Sequence, residues 1–301
     1  MTVNPSMRGS CFRGTPWQRF KEFISPGAGR FTVLKELLET AELNYTVLDM
    51  AGNHHFYLAS PPPEEKYPRR PPSMLVAHYD RTPGSPGAND NSAAVFLLLE
   101  TAIKLKKAGA KNWIIIFTDK EELEPGESIQ DQGAYTLALG LKSLAPENPR
   151  IFTFDACGAG DTMIISTTVE QLLKREGGGE KLQKSLLELR RLALDTARNL
   201  GMAKVLLAPT PFSDDLGFFR AGFAAQTITM LPQAESNLLA SELRKNQNLA
   251  NTLISAELRQ QTPAKFIPET WLSLNSPADS HLRLTPEHFH TVIRFAEALC
   301  R

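Results

Sequence analysis

An imidazole and two carboxylates lie close together in one short stretch of this 301-residue chain. His78 and Asp80 follow an apolar run at 74–77 that predicts a buried strand. Asp90 precedes a second apolar run, at 93–99, that predicts a helix. Open α/β sheets bind ligands beyond the carboxyl ends of their strands. These three side chains are therefore candidates for a catalytic or metal-binding site.

His78 and Asp80 are expected to point to the same side of their strand, because side chains alternate along it. This geometry suits a metal-binding histidine whose second ring nitrogen is held by a carboxylate. A structural interpretation is equally open: Asp90 would cap the next helix, and His78 would be a hydrogen-bonded histidine of the core. This stretch alone does not decide between the two.

Two further apolar runs, 113–118 and 151–154, predict strands that are buried on both faces. The first is followed by Glu121 and Glu122, and the second by Asp155. Adjacent glutamates are by themselves typical of an exposed charge pair. Three strands separated by helices, each followed by acids or a histidine, instead indicate a metal site at the edge of a sheet.

Hydrophobic periodicity extends this pattern along the chain. Further strands are predicted at about 45–50, 55–59, 162–167, 204–208 and 224–231, and helices at about 30–43, 92–108, 132–142, 180–200, 233–260 and 285–299. We therefore expect an α/β fold, a three-layer αβα arrangement with a mixed, mainly parallel central sheet. The chain, 1–301, is expected to be one catalytic domain with a helical insertion at about 233–270. His54 and His55, at a predicted turn, are expected at the surface.

Composition limits the classes of protein. The 33 basic residues balance 33 acidic ones, which argues against nucleic acid or a membrane surface as the main partner. Apolar residues make up 42% of the chain, yet no apolar run approaches the roughly 20 residues of a membrane span. Three cysteines without a Cys-x-x-Cys spacing, and no recognisable signal peptide, favour a reducing compartment. A cytoplasmic location is therefore expected.

The motifs of this chain resemble those of the co-catalytic zinc aminopeptidases, whose fold glutaminyl cyclases share. The resemblance covers about residues 70–300 and is carried by His78-x-Asp80, Gly87-Ala88-Asn89-Asp90-Asn91-Ser92-Ala93, Phe117-Thr118-Asp119-x-Glu121-Glu122, Asp155, Ser213-Asp214 ahead of Phe218, and Ser276-Pro277-Ala278-Asp279-Ser280. It implies metal-dependent hydrolysis of an amide bond by an aminopeptidase that acts on small peptides.

The resemblance also implies a set of metal ligands. His78 and Asp155 would hold one zinc ion, Asp90 would bridge two ions, and Glu122 would hold the second. Two cations at such a site clamp a water molecule, lower its pKa and polarise the scissile carbonyl. The expected cofactor is accordingly zinc, as one or two ions.

Two further acids would act without binding metal. Glu121 would be the general base that takes a proton from the water and later passes it to the leaving amine. Asp80 would orient His78. The expected partner is a peptide or an aminoacyl small molecule, and homo-oligomer formation is left open.

The last motif departs from the family pattern. The family usually has a histidine directly before Ser276, as the final ligand of the second zinc, whereas this chain has Asn275. Because an amide oxygen is neutral and a poorer zinc ligand than imidazole, the second site is expected to be weak. His281 is an alternative ligand if the turn is remodelled. The departure leaves three functions open: an aminopeptidase, a single-zinc acyltransferase like glutaminyl cyclase, and a non-catalytic binding relative.

Overall fold

The computed structural model of the protein describes residues 15–61, 71–144, 149–177, 179–246, 248–254 and 266–301. Within these residues the strands are β1 (Thr46–Met50), β2 (Asn53–Ala59), β3 (Ser73–His78), β4 (Trp113–Thr118), β5 (Arg150–Phe154), β6 (Thr162–Ser166), β7 (Val205–Ala208) and β8 (Ala225–Leu231). They form one eight-stranded sheet in the order β1-β2-β4-β3-β5-β8-β6-β7.

Both parallel and antiparallel pairs occur in this sheet. Strands β4, β3, β5 and β8 are parallel neighbours and form its centre. On one side, β2 runs antiparallel to β4 and β1 runs antiparallel to β2. On the other side, β6 is antiparallel to β8 and parallel to β7. The prediction of a mixed, mainly parallel sheet is confirmed.

Helices flank the sheet. Within the described residues they are α1 (Thr15–Gln18), α2 (Phe20–Phe23), α3 (Arg30–Thr40), α4 (Ala93–Lys107), α5 (Gly133–Leu144), α6 (Thr168–Glu176), α7 (Glu180–Asn199), α8 (Asp214–Arg220), α9 (Gln233–Lys245), α10 (Leu249–Leu253), α11 (Glu269–Ser273) and α12 (Phe289–Leu299). Among these described helices, none is long and apolar enough to cross a membrane.

Two apolar layers separate the sheet from its helices. Leu75 and Ala77 of β3 pack in one layer with residues of α3, α4, α7 and α12. Met74 and Val76, which alternate with them, pack in the other layer with residues of α5 and α8. Every residue of β3 is buried, as expected for a strand that is covered on both faces. The predicted three-layer αβα arrangement is therefore confirmed.

The segment at 233–270 contains α9, α10 and the start of α11. Its stretch at 255–265, part of which was predicted to be helical, lies outside the described residues. The interpretation of 233–270 as an insertion in a single domain stays a prediction.

His55 corrects an expectation from the sequence. It is fully buried, whereas its neighbour His54 is exposed. The reason is that β2 begins at Asn53 and has a paired strand on each side, and both of its faces are covered at His55 and Phe56, which are both buried. The His55 Nδ1 atom accepts a hydrogen bond from the backbone N–H of Asp119 over 3.2 Å.

Candidate metal centre

His78, Asp90 and Asp155 converge at the carboxyl edge of the sheet. Each offers one ligand atom, and these atoms lie within 4.8 Å of one another. The Nε2 atom of His78 is 3.2 Å from Asp90 Oδ1 and 4.0 Å from Asp155 Oδ1. The topology explains this, because His78 ends β3, Asp155 follows the neighbouring strand β5, and Asp90 lies in the turn that leads into α4.

Two atoms of this cluster, His78 Nε2 and Asp155 Oδ1, are buried without a hydrogen-bond partner among the residues that the structure describes. Leaving buried polar atoms unpaired is unfavourable, and native structures rarely do so without a reason. An imidazole nitrogen and carboxylate oxygens are the ligands that a catalytic zinc ion takes. The residues therefore fit a bound divalent cation.

Asp80 connects the histidine to the loop after β4. Its Oδ1 atom lies 3.2 Å from His78 Nδ1 and also accepts the backbone N–H of Glu121 over 3.1 Å. Its Oδ2 atom accepts the backbone N–H of Glu122 over 3.0 Å. Burial would raise the pKa of Asp80, but His78 and the two N–H groups outweigh it and lower the pKa. Asp80 thus fixes the ring of His78 and the position of the two glutamates.

The turn that carries Asp90 is held from two sides. The carboxylate of Asp279 accepts the backbone N–H groups of Asn89 and Asp90 over 2.8 and 3.0 Å. The Nδ2 atom of Asn91 donates to the Phe154 carbonyl over 2.8 Å, which ties the turn to β5. The peptide bond between Asp90 and Asn91 is cis. These contacts place Asp90 opposite His78.

Arg30 is a residue of the site that the sequence did not indicate. Its buried guanidinium donates hydrogen bonds to carbonyl groups of the loop at 79–92 and to one hydroxyl, namely Tyr79 O, Asp80 O, Pro86 O, Gly87 O and Ser92 Oγ. Arg30 begins α3, outside every motif of the sequence. It is therefore the internal support of the loop between His78 and α4.

The site concentrates negative charge. Burial raises the pKa of Glu121 well above its usual value, and the carboxylates of Glu122 and Asp155 add to this while His78 opposes it. Burial and Asp90 raise the pKa of Glu122 to about 8 and that of Asp155 to about 7. Burial lowers the pKa of His78, but contacts with Asp80 and Asp90 outweigh it and raise the pKa. A bound cation would balance this clustered negative charge.

A cavity of about 330 Å³ opens beside the cluster. One part of its wall is acidic, with Asp90, Glu121 and Asp155. Another part is apolar and consists of Phe212, Ile267, Trp271, Leu272 and Leu274. The apolar residues from 267 onward come from α11 and its flanks, which no sequence motif connected with the site.

The two candidate ligands of the last motif occupy different places. Asn275 lines the cavity, and its Oδ1 atom accepts a hydrogen bond from the Thr82 hydroxyl over 2.7 Å. His281 begins a short turn at 281–283 and is partly exposed. Of the described residues, His281 is neither among those that line the cavity nor in the cluster with His78.

Comparison with known proteins identifies the class of this molecule. The family model for peptidase family M28 matches residues 61–247, and the chain belongs to that family. Among curated protein sequences, none matches the chain significantly.

Several solved structures share the fold. The zinc aminopeptidase BSAP from Bacillus subtilis has a TM-score of 0.51 at 18% identity, over 82% of this chain and 49% of that chain. The LapA aminopeptidase of Legionella pneumophila has a TM-score of 0.60 at 14% identity, over 94% of this chain and 69% of that chain. The glutaminyl cyclase of Porphyromonas gingivalis has a TM-score of 0.56 at 14% identity, over 94% of this chain and 93% of that chain. The matched region thus spans about half the length of the Bacillus subtilis structure.

Proposed function

We propose that this protein is a metal-dependent hydrolase of amide bonds, an aminopeptidase that acts on small peptides. The observation that carries the proposal is the convergence of His78, Asp90 and Asp155, with Glu121 on the same cavity wall as the two aspartates. Membership of peptidase family M28 supports peptide hydrolysis as the reaction class.

Zinc is the proposed cofactor, held by His78, Asp90 and Asp155, with Glu122 beside them. When bound, zinc lowers the pKa of a water molecule and polarises the carbonyl group of the substrate. Asp80 has the position of an orienting residue, because its carboxylate faces the ring nitrogen of His78 that points away from Asp90.

Glu121 is the proposed general base. It borders the cavity but does not belong to the cluster of three ligands, so its carboxylate is free to exchange a proton. Two contacts hold it: its backbone N–H donates to Asp80, and its Oε1 atom accepts a hydrogen bond from Gln132 Nε2 over 3.2 Å. From there Glu121 would take the proton of the attacking water and deliver it to the leaving amine.

The cavity supports a small aminoacyl substrate with an apolar side chain. Its volume of about 330 Å³ suits one such residue, and Trp271 and its apolar neighbours form a surface for the side chain.

Hydrolysis of a panel of aminoacyl anilides by the zinc-loaded protein tests the proposal. The wild type should hydrolyse members with apolar side chains, and Glu121→Gln should lower kcat by about 10²–10⁴-fold, the usual contribution of general base catalysis. His290→Ala, which changes an exposed histidine outside the cavity, is the matched control. No turnover by the wild type, or equal turnover by Glu121→Gln, would contradict the proposal.

A glutaminyl-cyclase-like acyltransferase is the second candidate. The matched region covers 93% of the Porphyromonas gingivalis glutaminyl cyclase, compared with 49% of BSAP, so the cyclase is closer to it in length. In such a reaction the amino group of an N-terminal glutamine attacks its own side-chain carbonyl and releases ammonia. Ammonia release from a glutaminyl peptide without anilide hydrolysis would favour this candidate, and binding without turnover would favour a non-catalytic relative.

A further inference from the structure

We propose that this protein holds one tightly bound divalent ion, at His78, Asp90 and Asp155, and that Asn275 together with Thr82 stands where a second ion would need a ligand. The inference rests on the proposed metal-dependent function. It specifies the metal content of the site, which family membership does not.

The first site has the ligands that it needs. A catalytic zinc ion takes three protein ligands and leaves a further position open. His78, Asp90 and Asp155 provide three, and Asp80 holds the remaining ring nitrogen of His78. Across the described ranges of the chain, no other set of three His, Cys, Asp or Glu side chains brings its ligand atoms this close together.

The second site lacks a ligand. The family resemblance implies Glu122 and the shared Asp90 as its charged ligands, which is one fewer than the usual three. The side chain at the remaining position is the amide of Asn275, a neutral group. Its Oδ1 atom already accepts the hydroxyl proton of Thr82 over 2.7 Å, so a metal would have to displace this hydrogen bond.

His281 cannot easily replace the missing ligand. The segment between Asn275 and His281 contains Asp279, which is fully buried and accepts the backbone N–H groups of Asn89 and Asp90. Moving His281 into the cavity would require this segment to shift. The shift would break the contacts that shape the turn around Asp90, one of the ligands itself.

The backbone at position 275 permits a direct test. Asn275 has a φ of 57°, in the left-handed region that asparagine and histidine both enter more often than most residues. The side chain is exposed, so a larger ring does not have to enter the core. Asn275→His therefore adds an imidazole at the cavity wall without a new backbone conformation.

Metal content per chain is the measurement. The metal-free protein is titrated with ZnCl₂ in a calorimeter. A separate titration with Co²⁺ records the visible absorption of the bound ion. Bound metal is counted after dialysis. We expect one equivalent for the wild type and for His281→Ala, and two for Asn275→His. Asp155→Asn should lose the tight equivalent, and thermal unfolding of each metal-free variant shows whether it is folded.

Two outcomes overturn the inference. One is two tightly bound metal equivalents per chain in the wild type. The other is one equivalent in the wild type and still one in Asn275→His. Its failure is distinguishable from that of the proposed function, because metal is counted without any substrate. One bound ion without turnover contradicts the proposed function alone. Two bound ions with anilide hydrolysis contradict the single-ion inference alone.

Discussion

The Nε2 atom of Gln132 donates a hydrogen bond to Glu121 Oε1 over 3.2 Å, and Gln132 itself is 3% exposed. Gln132 directly precedes α5, on the far side of a loop from Glu121. Across from it lies Gly217 of α8, where an added Cβ atom would stand 2.3 Å from Gln132 Oε1. Two helices of one layer therefore combine to fix the carboxylate that we propose as the general base.

Replacing Gln132 by methionine keeps the size of the side chain and removes the donor. A hydrogen bond to a charged group contributes about 1.5–3 kcal/mol, so kcat should fall roughly 10–100-fold. KM should change little, because Gln132 does not line the cavity. Steady-state kinetics across pH measure this effect, with the exposed Gln130→Met as the control. An unchanged kcat and pH profile would mean that Gln132 has only a structural role.

Gly217→Ala should disturb the hydrogen bond between Gln132 and Glu121, because the new methyl group lies against the side chain of Gln132. The new methyl group would also lie 2.7 Å from the Tyr135 backbone nitrogen, so α5 and α8 must separate. Overpacking of this kind costs about 1–3 kcal/mol of stability, which urea unfolding measures. Gly179→Ala is the matched control, because no atom of the described part of the chain lies within 4 Å of a Cβ atom there. Equal stability of the two variants would show that the helices yield without strain.

His55 should make stability depend on pH in acid. Burial lowers the pKa of His55 to about 4, whereas an unfolded histidine has a pKa of about 6.5. Between these values the unfolded chain binds a proton that the folded protein does not, so stability falls as pH decreases through this window. The contribution of His55 is constant above it, and the total change across the window is on the order of 3 kcal/mol.

The measurement for His55 compares, between the wild type and a variant, how much the free energy of unfolding changes with pH. Urea unfolding of the wild type and of His55→Asn at pH 7, 6 and 5 should show the wild type losing more stability on acidification. His290→Asn, a replacement at an exposed histidine, should parallel the wild type. A difference between wild type and His55→Asn that is the same at each pH would contradict a depressed pKa.

Arg30→Ala should be strongly destabilising. It removes hydrogen bonds to carbonyl groups of the loop at 79–92 from a buried position, and each buried acceptor left without a donor costs about 1–3 kcal/mol. Zinc affinity should also fall, by about 10–100-fold, as for other groups that support metal ligands. Arg191→Ala, whose side chain is 86% exposed, should stay within about 0.5 kcal/mol of wild type. Zinc affinity equal to wild type in a folded Arg30→Ala protein would show that the loop keeps its shape unaided.

Trp271→Ala should change substrate preference more than catalysis. Removing the ring enlarges the apolar part of the cavity, so kcat/KM for anilides with apolar side chains should fall about 10-fold or more relative to alanine anilide. Leu238→Ala, at an exposed site on α9, is the control. A uniform decrease for every anilide would instead place Trp271 in support of the fold.

The sequence predicts the strands that carry the ligands well. The strands β3 and β4 are continuous apolar runs bounded by prolines or acids, and the pattern of burial on both faces leaves little choice of structure. The convergence of His78, Asp90 and Asp155 follows from the same order of strands. Their roles, and those of Glu121, Glu122 and Asp80, stay predictions until metal and substrate are measured.

What the sequence could not predict depends on contacts between distant segments. The local turn pattern predicts an exposed His55, because it does not reveal that β2 has neighbours on both sides. Arg30 and Gln132 belong to no motif, and each becomes significant only because a helix begins beside the site, α3 at Arg30 and α5 directly after Gln132. The apolar wall around Trp271 likewise comes from a segment whose pattern indicates a helix and nothing about the cavity that it faces.

The hydrogen bonds that the Asp279 carboxylate accepts from the backbone N–H groups of Asn89 and Asp90 impose an order on the formation of the site. Asp279 lies 189 positions after Asp90, so a nascent chain displays all three candidate ligands long before the residue that shapes their turn. Tight zinc binding is therefore expected to appear only after Asp279 has been synthesised. A truncated chain that ends at residue 278 and still binds zinc with full affinity would contradict this. In a cell, this dependence would keep partly made chains from taking up zinc.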